Sequence, residues 1–201
     1  MDKNSEKVGK AYDSITHRWT GDGFNRNNGI AAHKRALGFA KNEGKALDVG
    51  CGCTGRFIDL LLDEGFTPEG VDLSAKKIEI SKQRHPTIEF HHADICEWPM
   101  QSQYDFITAW DSLWHIALDK QAFIIEKLCS SLSSGGVFIF SFGGVSEAGE
   151  HTDNLMGPKL YYSSLGTNNY LRLLSEFGCI CRHLEHERAD DPHTFIIAQK
   201  L

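Results

Sequence analysis

From residue 45 onward, short runs of Val, Ile, Leu and Phe alternate with segments in which apolar residues recur every three to four positions. The first pattern belongs to buried strands and the second to amphipathic helices. Their alternation predicts βα units around a mostly parallel sheet. Strands are expected at 45–50, 67–72, 88–92, 104–110, 136–142, 179–186 and 193–200, and helices at 55–64, 74–84, 120–131 and 167–177. Only residues 187–192 separate the last two strands, too few for the crossover helix that a parallel pair needs, so these two should form an antiparallel hairpin. The fold class implied is α/β: a doubly wound, seven-stranded, mostly parallel sheet with an antiparallel C-terminal strand.

Before residue 45 the pattern reads as helix, loop, helix, with a polar break at 20–29. Tyr12, Ile15 and Trp19 fall on one helical face and could pack on the core. Between Phe142 and Thr167 lies a long connection carrying Gly143, Gly144, Gly149, Gly157, Pro158 and Gly166. Connections of that length usually form lids or binding segments, and Tyr161 and Tyr162 favour an ordered lid.

Composition narrows the function classes. With 201 residues, 41% hydrophobic and 24% charged, the chain fits one globular domain and neither a disordered nor a fibrous class. A formal charge of -6 gives no broad positive field, so no nucleic-acid partner is expected. Lys76, Lys77, Lys82 and Arg84 lie close together but read as a solvated helix face. No run approaches about 20 apolar residues and the N-terminus is charged, so no membrane partner and a cytoplasmic location are expected. The six cysteines should then be free thiols. The pairs Cys51/Cys53 and Cys179/Cys181 lack the Cys-x-x-Cys spacing of a tetrahedral zinc site, the ten histidines form no readable ligand set with acids, and no metal is expected.

The strongest local signal is ALDVGCGCTG, residues 46–55, followed at once by a helical run. Gly50, Gly52 and Gly55 form G-x-G-x-x-G at a strand-to-helix junction, where missing side chains let the backbone turn tightly and approach a nucleotide-like ligand. The motif alone is weak. Asp72 ends the next strand, where a carboxylate can accept both hydroxyls of a ribose, and Asp94 follows the third strand. Asp48 lies just before the first glycine. Each acid taken singly also fits a helix cap or turn, Asp72 above all.

Taken together, these segments resemble the class I S-adenosylmethionine (SAM)-dependent methyltransferases of the small-molecule type. LDVGCGCTG is similar to their first motif, EGVDLS to the second-strand motif, HHADICEWP to the adenine-binding motif and YDFITAWDSLWHI to the fourth-strand motif. The resemblance implies a Rossmann-like fold whose reversed last strand matches the expected hairpin, with SAM as cofactor. The pattern along the chain divides the single domain 1–201 into a helical cap (1–44), a cofactor-binding half (45–142), a lid-like insertion (143–166) and a C-terminal helix and hairpin (167–201). The resemblance also implies roles. Gly50, Cys51 and Gly52 would run along the amino-acid portion of the cofactor, with Asp48 positioning that loop or receiving the ammonium through water. Asp72 would hold the ribose and Leu73 pack on the adenine. Asp94 would accept from the adenine amino group beside the backbone of Ile95. Trp110 and Asp111 would flank the methionine end. The segment around Tyr12 and Trp19 is similar to the one that covers the cofactor in small-molecule members. One departure is a bulkier loop, with Cys53 and Thr54 where the family often has Gly or Ala.

Methyl transfer needs a nucleophile in line with the sulfonium methyl, so positioning and exclusion of water supply much of the acceleration. If a proton must leave the acceptor, His115 or Asp111 is the expected base, with an orienting role as the alternative for His115. Trp114, His151, Met156, Tyr161, Tyr162 and His193 are expected around a small-molecule acceptor. Two other functions share the glycine loop. A non-catalytic SAM-binding module leaves no obligatory residue missing. An NAD-dependent oxidoreductase predicts a Tyr-x-x-x-Lys constellation, which the sequence lacks.

Overall fold

The computed structural model of the chain describes residues 3–188 and 191–201. Helix α1 (Lys3–Ser14), a single turn α2 (His17–Thr20) and α3 (Ile30–Leu37) precede the first strand. Then follow β1 (Lys45–Val49), α4 (Arg56–Asp63), β2 (Thr67–Asp72), α5 (Ala75–Arg84), β3 (Glu89–His92) and β4 (Tyr104–Ala109). The second half runs α6 (Gln121–Ser130), β5 (Leu132–Gly143), β6 (Gly149–Asp153), β7 (Leu160–Ser164), α7 (Thr167–Glu176), β8 (Cys179–Arg188) and β9 (Asp191–Lys200).

Seven strands form one sheet in the order β3-β2-β1-β4-β5-β9-β8. The first five run parallel, and β9 alone is reversed, pairing antiparallel with β5 on one side and β8 on the other. From β1 the chain winds outward through β2 and β3, then returns to place β4 on the opposite side. The strand order therefore reverses between β1 and β4, and in such sheets the crevice outside the strands' carboxyl ends is where ligands bind.

Both faces of the sheet are covered. On one, α6 and α7 bring Ile124, Ile125, Leu128, Tyr170 and Leu174 against Leu47, Ile107, Phe138 and Phe140. On the other, α3 and α4 bring Ala32, Ala36, Phe57 and Leu61 against Phe106, Ile139 and Phe195. Each such fully buried large side chain contributes roughly 1.5–3 kcal/mol through removal from water. Double-sided burial is why β5 reads as the continuous run Val137-Phe-Ile-Phe140 instead of alternating.

The seven sheet strands and four crossover helices fall where the periodicity places them, within a few residues. β5 starts at Leu132, four residues earlier than expected, because an irregularity in register pairs Leu132 with Tyr104 and Val137 with Phe106. Residues 189 and 190, within the expected tight turn, lie outside the described residues. The connection after β5 is not a loop but a second, two-stranded sheet, β6 with β7. Four of the five β6 residues are exposed, so the strand offers no hydrophobic pattern to read. No described helix is long and apolar enough to cross a membrane.

Candidate active site

The glycine loop closes over the carboxyl end of β1. Gly50 donates its N–H to Val71 O at 2.8 Å, tying the loop to β2. Helix α4 starts after Gly55 at φ +70, where a Cβ would meet His85 at 2.5 Å, so the left-handed entry to the helix admits no side chain. Asp72, at the tip of β2, fixes the loop from outside. Its Oδ2 accepts from Gly52 N–H at 2.8 Å and its Oδ1 from Ser74 N–H at 2.7 Å. A carboxylate has about four lone-pair sites, so two remain for a ligand.

These groups border a cavity of about 320 Å³ that continues under α1 and the β6–β7 hairpin. Gly50, Asp72, Leu73, Asp94, Ile95 and Trp110 all face it, as do Tyr12 and Trp19 from the N-terminal segment. Asp94 accepts from Cys96 N–H through Oδ1 at 2.9 Å, whereas its Oδ2 is buried without a hydrogen-bond partner. An unsatisfied buried carboxylate oxygen costs free energy until a donor arrives. Its position beside Ile95 fits the exocyclic amino group of an adenine, and the cradle at Gly50 fits a ligand backbone.

Cys51 and Gly52 shape the turn without lining the cavity, and Asp48 lies behind the loop at 2% exposure. Burial raises the Asp48 carboxyl to about 7, against the opposing pull of Arg56.

Lys77, expected on a solvated helix face, is buried. Instead of facing solvent it is 6% exposed, with Nζ 4.1 Å from the ring centre of Tyr12 and 3.8 Å from that of Trp19. Burial lowers its affinity for a proton, while the two ring faces and Asp72 favour the cation. Adjacent in sequence, Lys76 is exposed. The two carry the same signal, and only their angular positions on α5 separate them.

Helix α1 is fastened at one end of this roof. Asp13 Oδ1 accepts from Ser74 Oγ at 2.5 Å and from Lys76 N–H at 3.1 Å, and so helps cap α5. Next to it, the Tyr12 hydroxyl donates to His115 Nε2 at 2.6 Å. His115 Nδ1 lies 2.8 Å from Tyr161 O, which can only accept, so Nδ1 carries the proton and Nε2 the lone pair. That lone pair also receives Trp114 Nε1–H at 3.1 Å. Burial lowers His115 to about 4, so the ring is neutral at pH 7.

The remaining acceptor candidates divide. Trp114, Met156, Tyr162 and His193 face the cavity together with Asp111. Tyr161 and His151 do not. The Tyr161 hydroxyl accepts from Leu118 N–H at 2.9 Å and donates to Glu150, which locks the hairpin to the 3-10 turns before α6. His151 stacks on the outer side of Tyr162 with ring centres 5.2 Å apart. Glu187, 3.0 Å from His193 Nδ1, was not legible as a site residue. Away from the cavity, Glu69, Glu89 and His91 bring ligand atoms within 4.8 Å of one another, but Glu69 already accepts from Tyr104 and pairs with His91.

Two buried neutral histidines make the fold acid-sensitive. His33, wholly buried, stacks on Phe57, donates from Nδ1 to Gly29 O and accepts from Thr108 at Nε2. Burial lowers it to about 3. The unfolded chain takes up a proton on each of His33 and His115 near pH 6.5, but the folded chain does so only near 3 and 4. Stability is therefore lost as pH falls below about 6.5, at about 1.4 kcal/mol per pH unit per histidine. Asp48, raised to about 7, acts in the opposite sense, losing its contribution as pH rises through that value. Urea unfolding of His33→Gln between pH 6 and 4.5 should show a pH slope smaller by about one proton. A slope equal to that of the parent would refute a neutral buried His33.

A switch-point cavity with a glycine cradle, a carboxylate at the tip of the second strand and, after the third, a carboxylate with one oxygen left unpartnered defines a domain that binds an adenosine-type cofactor. The chain matches the family described as "Methyltransferase domain" over residues 24–180 and belongs to it. It is 32% identical over 117 residues to dTDP-3-amino-3,6-dideoxy-alpha-D-glucopyranose N,N-dimethyltransferase of Streptomyces fradiae, a match spanning 56% of this chain and 44% of that enzyme. Among solved structures, magnesium protoporphyrin IX methyltransferase (ChlM) from Synechocystis PCC 6803 with bound SAH superposes with TM-score 0.72. Identity is 17%, over 99% of this chain and 100% of that one. SAM-bound CalS10, an amino pentose methyltransferase from Micromonospora echinaspora, gives TM-score 0.71 at 13% identity, covering 94% and 97%. Those two likenesses establish the shared fold.

Proposed function

We propose that the chain transfers a methyl group from SAM to a small-molecule acceptor held under the β6–β7 hairpin. The observation that carries this reading is the buried, unpartnered Oδ2 of Asp94 at one end of a cavity whose middle is bordered by Gly50 and Asp72. Asp94 would hold the adenine amino group, Asp72 the ribose hydroxyls and Leu73 an adenine face. Bound SAM supplies an electrophilic methyl on a positively charged sulfur.

The protein's part is to position and to exclude water. Tyr12, Trp19 and Lys77 form the roof, and the Tyr12–His115–Tyr161 chain ties that roof to the hairpin. In place of the expected base, His115 acts as a positioning residue, because its lone pair is already shared by Tyr12 and Trp114. Asp111 is the group left to take a proton. The S. fradiae relative acts on an amino sugar and supports a small polar acceptor here, although the chain spans less than half of that enzyme.

Calorimetry with S-adenosylhomocysteine (SAH) and with NAD tests the cofactor reading. Micromolar SAH binding without NAD binding is expected. Binding of NAD alone would overturn the assignment in favour of an oxidoreductase.

A further inference from the structure

At the end of the cavity remote from Asp94, two carboxylates converge on one imidazole. His193 Nε2 lies 2.8 Å from Asp111 Oδ1, and its Nδ1 lies 3.0 Å from Glu187 Oε2 on β8. The rings of Trp110 and Trp114 stand 5.4 and 5.5 Å from the imidazole. Asp111 is the sole described non-glycine residue at positive φ, +56, a conformation that persists only where neighbours enforce it. They do so here. Its N–H donates to Ser141 Oγ at 2.7 Å, Ser141 Oγ donates back to Oδ1 at 3.3 Å, and the Asn28 amide reaches Oδ2 at 3.4 Å.

Two acidic side chains face a single imidazole, so the three-residue chain carries more formal negative than positive charge. The cations nearby lie toward other groups. Lys120 lines the cavity within electrostatic reach of Cys96, next to the adenine-end residues, and Lys77 sits under Tyr12 and Trp19. Arg56, which also feels Asp111, is held by Asn28 O, Thr54 Oγ1 and the ring of Phe57 and is shared with Asp48. A negative group among indole faces suits a cation and opposes a carboxylate or phenolate.

We propose that the acceptor is an amine, recognised as its ammonium ion by the Asp111–His193–Glu187 chain between Trp110 and Trp114. The inference rests on the methyl-transfer reading above. Asp111 and His193 touch the acceptor, and Glu187 is a positioning residue behind them. The bound ammonium gives one proton to Asp111. The freed nitrogen lone pair forms the N–C bond as the cofactor's C–S bond breaks, and that bonding pair stays on sulfur as a neutral thioether. The product leaves as an N-methylammonium ion.

Benzylammonium and phenylacetate share a ring and differ in the sign of charge, so they test the idea directly. Each is titrated into the full chain saturated with SAH and followed by NMR. Saturable binding of benzylammonium is expected, about 10-fold tighter than phenylacetate, and about 10-fold weaker in both Asp111→Asn and Glu187→Gln, with SAH still bound by Glu187→Gln. Phenylacetate binding as tightly as benzylammonium, ammonium affinity indifferent to both substitutions, or no saturable ammonium binding to the SAH complex would each overturn the amine assignment while leaving the cofactor reading standing. Failure of the parent chain to bind SAH would remove both.

Discussion

Gly50→Ala should abolish measurable SAH binding and lower the melting temperature, the largest effect expected from a single methyl in this protein. Gly50 sits at φ +72, where an L side chain costs on the order of 1–2 kcal/mol. The new Cβ would also lie 2.3 Å from Ser112 Cβ. Ser112 cannot swing away cheaply, because its hydroxyl donates to Val49 O at 2.9 Å in the strand that launches the loop. Strain and overlap together come to roughly 3 kcal/mol or more. They are relieved only by pushing the loop into the cavity or pulling Ser112, and Asp111 with it, out of place. Thermal unfolding with and without SAH checks both halves. A Gly50→Ala variant that bound SAH like the parent would show that the cofactor does not approach this turn.

Asp72→Ala should weaken SAH binding by at least about 30-fold, which is about 2 kcal/mol. Two contributions add. The ribose hydroxyls lose a charged acceptor, worth about 1.5–3 kcal/mol. The N–H groups of Gly52 and Ser74 also lose the oxygens that hold the glycine loop against α5. Asp72→Asn separates the two. Its carbonyl oxygen keeps one loop bond, so the melting temperature should stay near that of the parent while affinity still falls. If the Asp72→Asn variant instead retained full affinity, the carboxylate would be a loop clamp alone, the helix-cap role that its sequence position equally allows.

The sheet was legible because burial on both faces writes an unmistakable signal: uninterrupted apolar runs such as 137–140, separated by amphipathic helices. The acids at successive strand tips were legible for a related reason, since βα units place a strand end at each change of pattern. What escaped was set by directions that sequence does not encode. Lys76 and Lys77 look alike, yet one faces water and the other lies beneath two rings of the N-terminal segment. The β6–β7 hairpin escaped because an exposed strand owes no periodicity to a core. Asp111 and His193 were each visible as candidates, but their pairing across 82 positions, and the part of Glu187 behind them, depend on β9 lying beside β5.

That placement of β9 also governs when the sheet closes up. β8 leaves the ribosome before β9, yet among the described residues β8 pairs with the sheet only through β9. Phe138, Ile139 and Phe140 of β5 likewise wait for Ala198, Ile197 and Ile196 to pair with them. Strands β1 to β5 can assemble as they emerge, but the edge of β5 stays open and adhesive until the reversed strand slips in. Such late, distant pairing is slow, and a nascent chain stalled before β9 presents a bare apolar edge that invites aggregation.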